Sequence, residues 1–107
     1  MSGITPRVRV PRTARPGEVV EIRTLISHPM ETGHRIDRGT AIPRHIVERF
    51  TCHLGEDLVM ELTVEGGVAA NPYFEFTARV DAAGTFRFAW HDSTGAVYEE
   101  SADIALG

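Results

Sequence analysis

In Tyr73-Phe74-Glu75-Phe76-Thr77-Ala78-Arg79-Val80 and, beyond Asp81-Ala82-Ala83-Gly84, in Thr85-Phe86-Arg87-Phe88-Ala89-Trp90-His91, one set of alternate residues is apolar throughout and the other is mostly polar, broken only by Tyr73 and the small Ala89. A period of two sends successive side chains to opposite faces, the mark of a strand with one face in a core. Phe74, Phe76, Ala78 and Val80 form one such face; Phe86, Phe88 and Trp90 form the next. Working outward, Asp92 to Gly95 turns the chain into a last strand carrying Tyr98, Ala102, Ile104 and Leu106 in phase. Upstream, Asn71-Pro72 and Gly66-Gly67 punctuate, and Leu58, Met60, Leu62 and Val64 alternate with Val59, Glu61 and Thr63. Gly55-Glu56-Asp57 separates that run from Arg44 to Leu54, in which Phe50, Cys52 and Leu54 share a side. Glu18 to Ile26 buries Val20, Ile22 and Ile26, and Arg7 to Val10 makes a short first strand closed by Pro11 before the Arg15-Pro16-Gly17 turn. Helical periodicity is nearly absent. About seven strands with turn signals every ten residues or so predict an all-β fold, an immunoglobulin-like β-sandwich, in a single domain over residues 1–107.

Ser27 to Pro43 breaks the alternation, with Pro29, Gly33, Gly39 and Pro43 spread among charged and His residues. It reads as a long loop, and connections beyond about 12 residues without secondary structure are often functional.

The chain has 107 residues, a net charge of -4, 42% apolar and 24% charged residues. Folding a chain of this length hides roughly 65% of its surface, enough for one core without covalent staples. A single Cys excludes an internal disulfide, a dithiol redox pair and the multi-thiolate zinc patterns. With an acidic balance there is no broad basic field for nucleic acid or an anionic membrane. All eleven basic residues are Arg, which removes Schiff-base chemistry and a phosphate-loop lysine. No stretch approaches the run of about 18 apolar residues of a membrane helix. Met1 to Arg12 lacks the apolar segment of a secretory signal, which taken alone points to the cytoplasm.

Cys52 sits between Phe50 and Leu54 on the apolar side of its strand, so it reads as a small core side chain, with an exposed reactive thiol as the competing reading. His28-Pro29-Met30 followed by His34 resembles the iron-binding loop of the superoxide reductases, which are also immunoglobulin-like. That resemblance implies mononuclear iron held by His28 and His34 with other imidazoles and a Cys thiolate. Against it, Cys52 and His53 are adjacent in a strand and point to opposite faces, which prevents them from chelating one ion. A Gly-x-Ser-x-Gly elbow is lacking, and Ser27-His28 is no triad. Glu99-Glu100 and Glu56-Asp57 read as solvated surface.

Arg7-Val8-Arg9-Val10-Pro11, Gly17-Glu18-Val19, Leu25 to Gly33 with its central His28-Pro29-Met30-Glu31-Thr32-Gly33, Ile42-Pro43-Arg44, Phe50, Ala69 to Phe74 and Gly84 to Trp90 form a pattern spanning nearly the whole chain. This pattern resembles the SoxZ family of sulfur-oxidation proteins. The resemblance implies a non-catalytic subunit without cofactor or metal of its own. It implies a heterodimer with SoxY, whose mobile tail carries sulfur intermediates on its own Cys, and transient contact with the other Sox enzymes. It also implies a periplasmic location reached without an own signal peptide, by export together with SoxY, in place of the cytoplasm. Ile104-Ala105-Leu106-Gly107 carries no Gly-Gly-Cys-Gly-Gly arm, so no substrate is expected on this chain. The partner-binding candidates are His28, Pro29, Met30, Glu31, Thr32 and Gly33 in the loop, with contact to SoxY, docking of the enzymes and a locally structural role as its alternative readings. Asn71, Pro72 and Tyr73 form a second patch whose competing reading is structural, Pro72 starting a strand and Phe74 filling the core. Met30 would be an adaptable contact, and Glu31 with Arg35 would orient the partner through charge. Without that partner, exposed apolar surface predicts a homo-oligomer.

Overall fold

The computed structural model describes residues 4–64 and 70–107; the Gly66-Gly67 break lies outside them. Ten strands run in the order β1 (Pro6–Arg9), β2 (Thr13–Ala14), β3 (Glu18–Ile26), β4 (Ile36–Asp37), β5 (Thr40–Ala41), β6 (Val47–Leu54), β7 (Asp57–Thr63), β8 (Tyr73–Val80), β9 (Gly84–Asp92) and β10 (Val97–Leu106). Seven have four or more residues and correspond to the expected set; β2, β4 and β5 have two each. A three-stranded sheet ordered β1-β3-β8 packs on a five-stranded sheet ordered β2-β10-β9-β6-β7, giving the immunoglobulin-like sandwich. The first segment serves both sheets. It pairs antiparallel with β3, and after Pro11, which has no N–H to extend a ladder, it crosses over to pair parallel with β10 through Thr13 and Ala14.

The alternating faces meet as the pattern requires. Val20, Ile22 and Ile26 of β3 and Phe76, Ala78 and Val80 of β8 are buried against Phe50, Phe86, Phe88 and Trp90 from the opposite sheet. Phe50 is the hub, with ring centroids 5.1 Å from Trp90, 5.2 Å from Phe74 and 6.0 Å from Phe76. Tilted and edge-on aromatic pairs of this kind contribute about 0.5–1.5 kcal/mol each beyond their buried area. Cys52 is wholly buried in this core, and burial pushes its thiol up to about 12.

Three expectations need correction. The stretch from Ser27 to Pro43 is not structureless: β4 and β5 form a small hairpin around Arg38 (φ 52°) and Gly39 (φ 79°), the left-handed pair that a two-residue turn demands. In β7 the phase slips. The ladder opposes Cys52 with Met60 but His53 with Leu58, so Val59 is an extra bulged residue. Past it the alternation inverts, leaving Leu58 54% exposed while Val59 packs on the core. Leu106, expected inside, stands exposed at the end of β10, where only the two-residue β2 lies alongside.

Candidate functional site

The long connection between β3 and β6 is held down at three points. At its start, Ser27 N–H donates to the Thr5 carbonyl, and His28 and Asn71 exchange two bonds: His28 N–H to Asn71 Oδ1 at 3.0 Å and Asn71 N–H to the His28 carbonyl at 2.8 Å. Across its middle, Glu31 and His45 exchange backbone bonds of 2.8 and 2.7 Å. Near its end, Ile46 N–H donates to Ser93 Oγ and Ser93 N–H to the Ile46 carbonyl, tying the loop to the turn after β9. Gly33 (φ 89°) faces Arg44 so closely that an added Cβ would lie 3.2 Å from the Arg44 Cβ. Any other residue there would be both strained and crowded.

Beneath the loop lies a polar cluster centred on Asp92. Met30 N–H donates to His28 Nδ1 at 3.0 Å. That nitrogen therefore keeps its lone pair, the neutral ring carries its proton on Nε2, and Nε2–H donates to Asp92 Oδ2 at 3.2 Å. The same oxygen bonds His45 Nε2 at 2.5 Å and accepts the Tyr98 hydroxyl at 2.8 Å. Asp92 Oδ1 accepts the Thr94 N–H at 2.7 Å and the Thr94 hydroxyl at 2.5 Å. Asp92 and His28 side chains have no solvent access. Burial alone would push the Asp92 carboxyl up, but the hydroxyl and N–H of Thr94, the Tyr98 hydroxyl and His28 outweigh it and hold the group well below the ordinary carboxylate range. His28 is held below the usual imidazole value, first by burial and then by neighbouring His45, against the opposing bond to Asp92. Burial together with Asp92 pushes Tyr98 up to about 12.

Met30 completes the anchoring. It adopts a left-handed backbone (φ 50°), unusual for an unbranched non-Gly residue, and its Sδ accepts Val47 N–H at 3.3 Å inside the core. Such a conformation costs on the order of 1–3 kcal/mol and persists only where the surroundings over-determine it. Here the His28 ring and the Val47 amide do so.

The two patches named from the sequence are thus one place in the molecule, joined by the His28–Asn71 bonds. Their members divide between inside and outside. His28 (1% exposed), Met30 (6% exposed) and Pro72 are buried, which corrects their reading as contact residues: a side chain sealed beneath the loop has no surface to offer a partner. Pro29, Thr32, Asn71 and Tyr73 are exposed, and Glu31 and Gly33 are partly so. Glu31 and Arg35, read together as the charged pair of the loop, do meet, with Arg35 Nη2 donating to Glu31 at 2.7 Å.

Asp92, His45, Thr94 and Tyr98 were not singled out by sequence reasoning. Asp92-Ser93-Thr94-Gly95 has the composition of an ordinary turn, and nothing local marks its first carboxylate as the acceptor for a His 64 residues away.

His28, His45 and Asp92 place candidate ligand atoms within 4.8 Å of one another. The hydrogen positions do not suit a metal. Ligation through His28 Nε2 needs a lone pair there, which moves the proton to Nδ1 and aims it at the Met30 N–H already pointing to that atom. The iron reading also paired His28 with His34, which is exposed and outside this group. The cluster is built to hold protons and fasten the loop.

Solved structures similar to the chain share its fold. A superoxide reductase (neelaredoxin) from Ignicoccus hospitalis superposes with a TM-score of 0.78 at 16% identity, over 99% of this chain and 82% of its own. The sulfur carrier protein SoxY from Chlorobium limicola f thiosulfatophilum superposes with a TM-score of 0.67 at 11% identity, over 95% and 78%. At such identities the likeness is one of architecture. No curated protein sequence matches the chain. The family model of the sulphur oxidation protein SoxZ matches residues 8–103, from the first strand to the last, and the chain therefore belongs to the SoxZ family.

Proposed function

We propose that this chain is the non-catalytic scaffold subunit of a sulfur carrier complex. It binds SoxY, whose Cys-bearing tail carries the intermediates of thiosulfate oxidation, and holds that tail for the enzymes that load and process it. The observation that carries this reading is the state of Cys52. It is the only Cys in a member of a sulfur-oxidation family, it is wholly buried, and its thiol is pushed up to about 12. A nucleophile or sulfur carrier must be a reachable thiolate, so the reactive sulfur has to come from another chain.

The exposed Pro29, Thr32, Asn71 and Tyr73 supply the contact patch for SoxY in this reading. A rigid backing suits that role, since a preorganised surface loses little entropy on binding. The complex works in the periplasm, which this chain enters together with SoxY.

Mixing the purified chain with SoxY and following thiosulfate loading by mass spectrometry tests the proposal. The two co-elute, the sulfur adduct appears on the SoxY thiol, and Tyr73→Ala together with Thr32→Arg weakens association by at least about tenfold. An adduct on Cys52, turnover by this chain alone or failure to associate overturns it. Cell fractionation finding the chain in the cytoplasm overturns the location.

A further inference from the structure

We propose that the free edge of β8 is a self-recognition surface, by which two copies of this chain join their three-stranded sheets across a twofold axis. This inference goes beyond the SoxY reading and does not depend on it. Four strands end the two sheets: β1, β8, β2 and β7. Three of them carry the devices by which proteins blunt an edge. The four-residue β1 begins at Pro6 and is followed by Pro11, and β7 is bulged at Val59. β2 has two residues and covers β10 only at Ala105 and Leu106, the rest of that rim carrying the acidic Glu99, Glu100 and Asp103, which repel a second copy of themselves. β8 runs eight residues without Pro or bulge, and among the described residues nothing pairs with its outer side.

The register shows which groups that edge presents. Ile26 N–H donates to the Pro72 carbonyl, and Ile26 and Pro72 continue the ladder in which Thr24 faces Phe74 and Ile22 faces Phe76. The even-numbered residues therefore direct their N–H and C=O toward β3. Tyr73, Glu75, Thr77 and Arg79 direct theirs to the open side. Their side chains also lie on the exposed face of the sheet.

A twofold axis through Thr77 sets Thr77 against its own copy and Glu75 against Arg79 in both directions. Side chains directly opposite share a face, so Phe76 meets Ala78 and the inner apolar face continues unbroken. Each opposed odd-numbered pair exchanges two backbone hydrogen bonds, the groups being those left free by β3. Centring the axis on Glu75 or Arg79 instead would oppose like charges. Axes through Phe76 or Ala78 use the same free groups but leave Glu75 opposite Thr77 or Asp81, so the Thr77 register is the one that sets Glu75 against Arg79 twice, as an isologous contact repeats each pair. Arg79 now pairs with Asp81, and Glu75 accepts the Tyr73 hydroxyl and lies 3.9 Å from Arg23; these groups are exposed, so the exchange costs little.

Sedimentation equilibrium of the isolated chain tests this with charge reversals. Wild type shows a monomer–dimer equilibrium. Glu75→Arg and Arg79→Glu, each alone, oppose like charges and weaken it by at least about tenfold. An equimolar mixture of those two variants associates again as a mixed dimer, and the double variant Glu75→Arg/Arg79→Glu restores the homodimer. Thr77→Pro removes an N–H that β3 does not use and abolishes the dimer with the circular dichroism spectrum unchanged. A wild-type chain that stays monomeric to about 1 mM overturns the proposal. So does a dimer indifferent to both charge reversals, or single variants whose mixture fails to associate.

Discussion

His28 and Asp92 lie 64 residues apart, and both side chains are closed off from solvent by the contact they make, with Nε2–H of one 3.2 Å from Oδ2 of the other. The bond joins the start of the long loop to the last residue of β9. Through Met30 N–H on the far side of the imidazole, it also dictates the loop's path over the core. The most recognisable part of the sequence, His28-Pro29-Met30-Glu31-Thr32-Gly33, is therefore first a fastening, and its outer residues are shaped by what its inner residues hold.

Replacing Asp92 by Asn keeps the shape but turns an amide N–H₂ toward donors. At least one of His28, His45, Tyr98 and Thr94 then loses its acceptor. The expected loss is roughly 3 kcal/mol, the cost of stranding buried polar groups. Urea unfolding followed by the single Trp90 measures it; a loss under about 0.5 kcal/mol would show that the cluster is not structural.

The same cluster makes stability depend on pH in two stages. His28 is held below its ordinary 6.5 in the fold, so the unfolded chain binds the proton more readily, and stability falls as pH drops below about 6.5. Asp92 is held below its ordinary 3.8, so its contribution is complete above that value and drains away as pH falls through and beneath it. Unfolding free energy measured from pH 8 to pH 3 is expected to decline in both windows. His28→Gln should remove the upper decline and spare the lower. Stability that rises on acidification from pH 7 to pH 5 would contradict the His28 assignment, and stability that rises from pH 4 to pH 3 would contradict that of Asp92.

Met30→Ala removes a buried side chain and the Sδ acceptor of Val47 N–H, and leaves Ala in a left-handed backbone. A loss of about 2–4 kcal/mol follows from the cavity and the strained site together. Hydrogen exchange should localise it, with the Val47, Glu31 and His45 amides losing protection while those of β9 do not. A variant with wild-type stability would place Met30 outside the core.

Cys52 should be inert to thiol reagents in the folded chain. Its labelling rate at pH 8 is expected to lie at least about a thousandfold below that of the denatured chain, and to rise only with global unfolding. Rapid labelling under native conditions would reopen the reading of this residue as a sulfur carrier.

How far the sequence could be read follows from the range of the forces involved. Strands β3, β8 and β9 were legible because period-two burial is a local signal and each run is regular from end to end. β7 was legible in position but not in phase. The bulge at Val59 is a property of its pairing with His53 and Leu54, and no residue within β7 announces it. The hairpin β4–β5 hid because its turn is Arg38-Gly39 in place of the Asn-Gly that signals a left-handed pair. Cys52 was read correctly as core since its neighbours Phe50 and Leu54 fix its side of the strand. His28 was not, because a polar residue in a Pro- and Gly-broken stretch carries no burial signal of its own.

By itself the sequence determined an all-strand sandwich, the placement of its longer strands, a family membership carried by its motifs, and a lone thiol facing inward. These are consequences of patterns confined to neighbouring residues. Only the tertiary structure decided that the His28 and Asn71 stretches are one surface, that Asp92 gathers the loop beneath it, and that β8 offers a free edge. Each of those depends on which distant strands become neighbours, and a hydrogen bond across 64 residues has no representation in either of its ends.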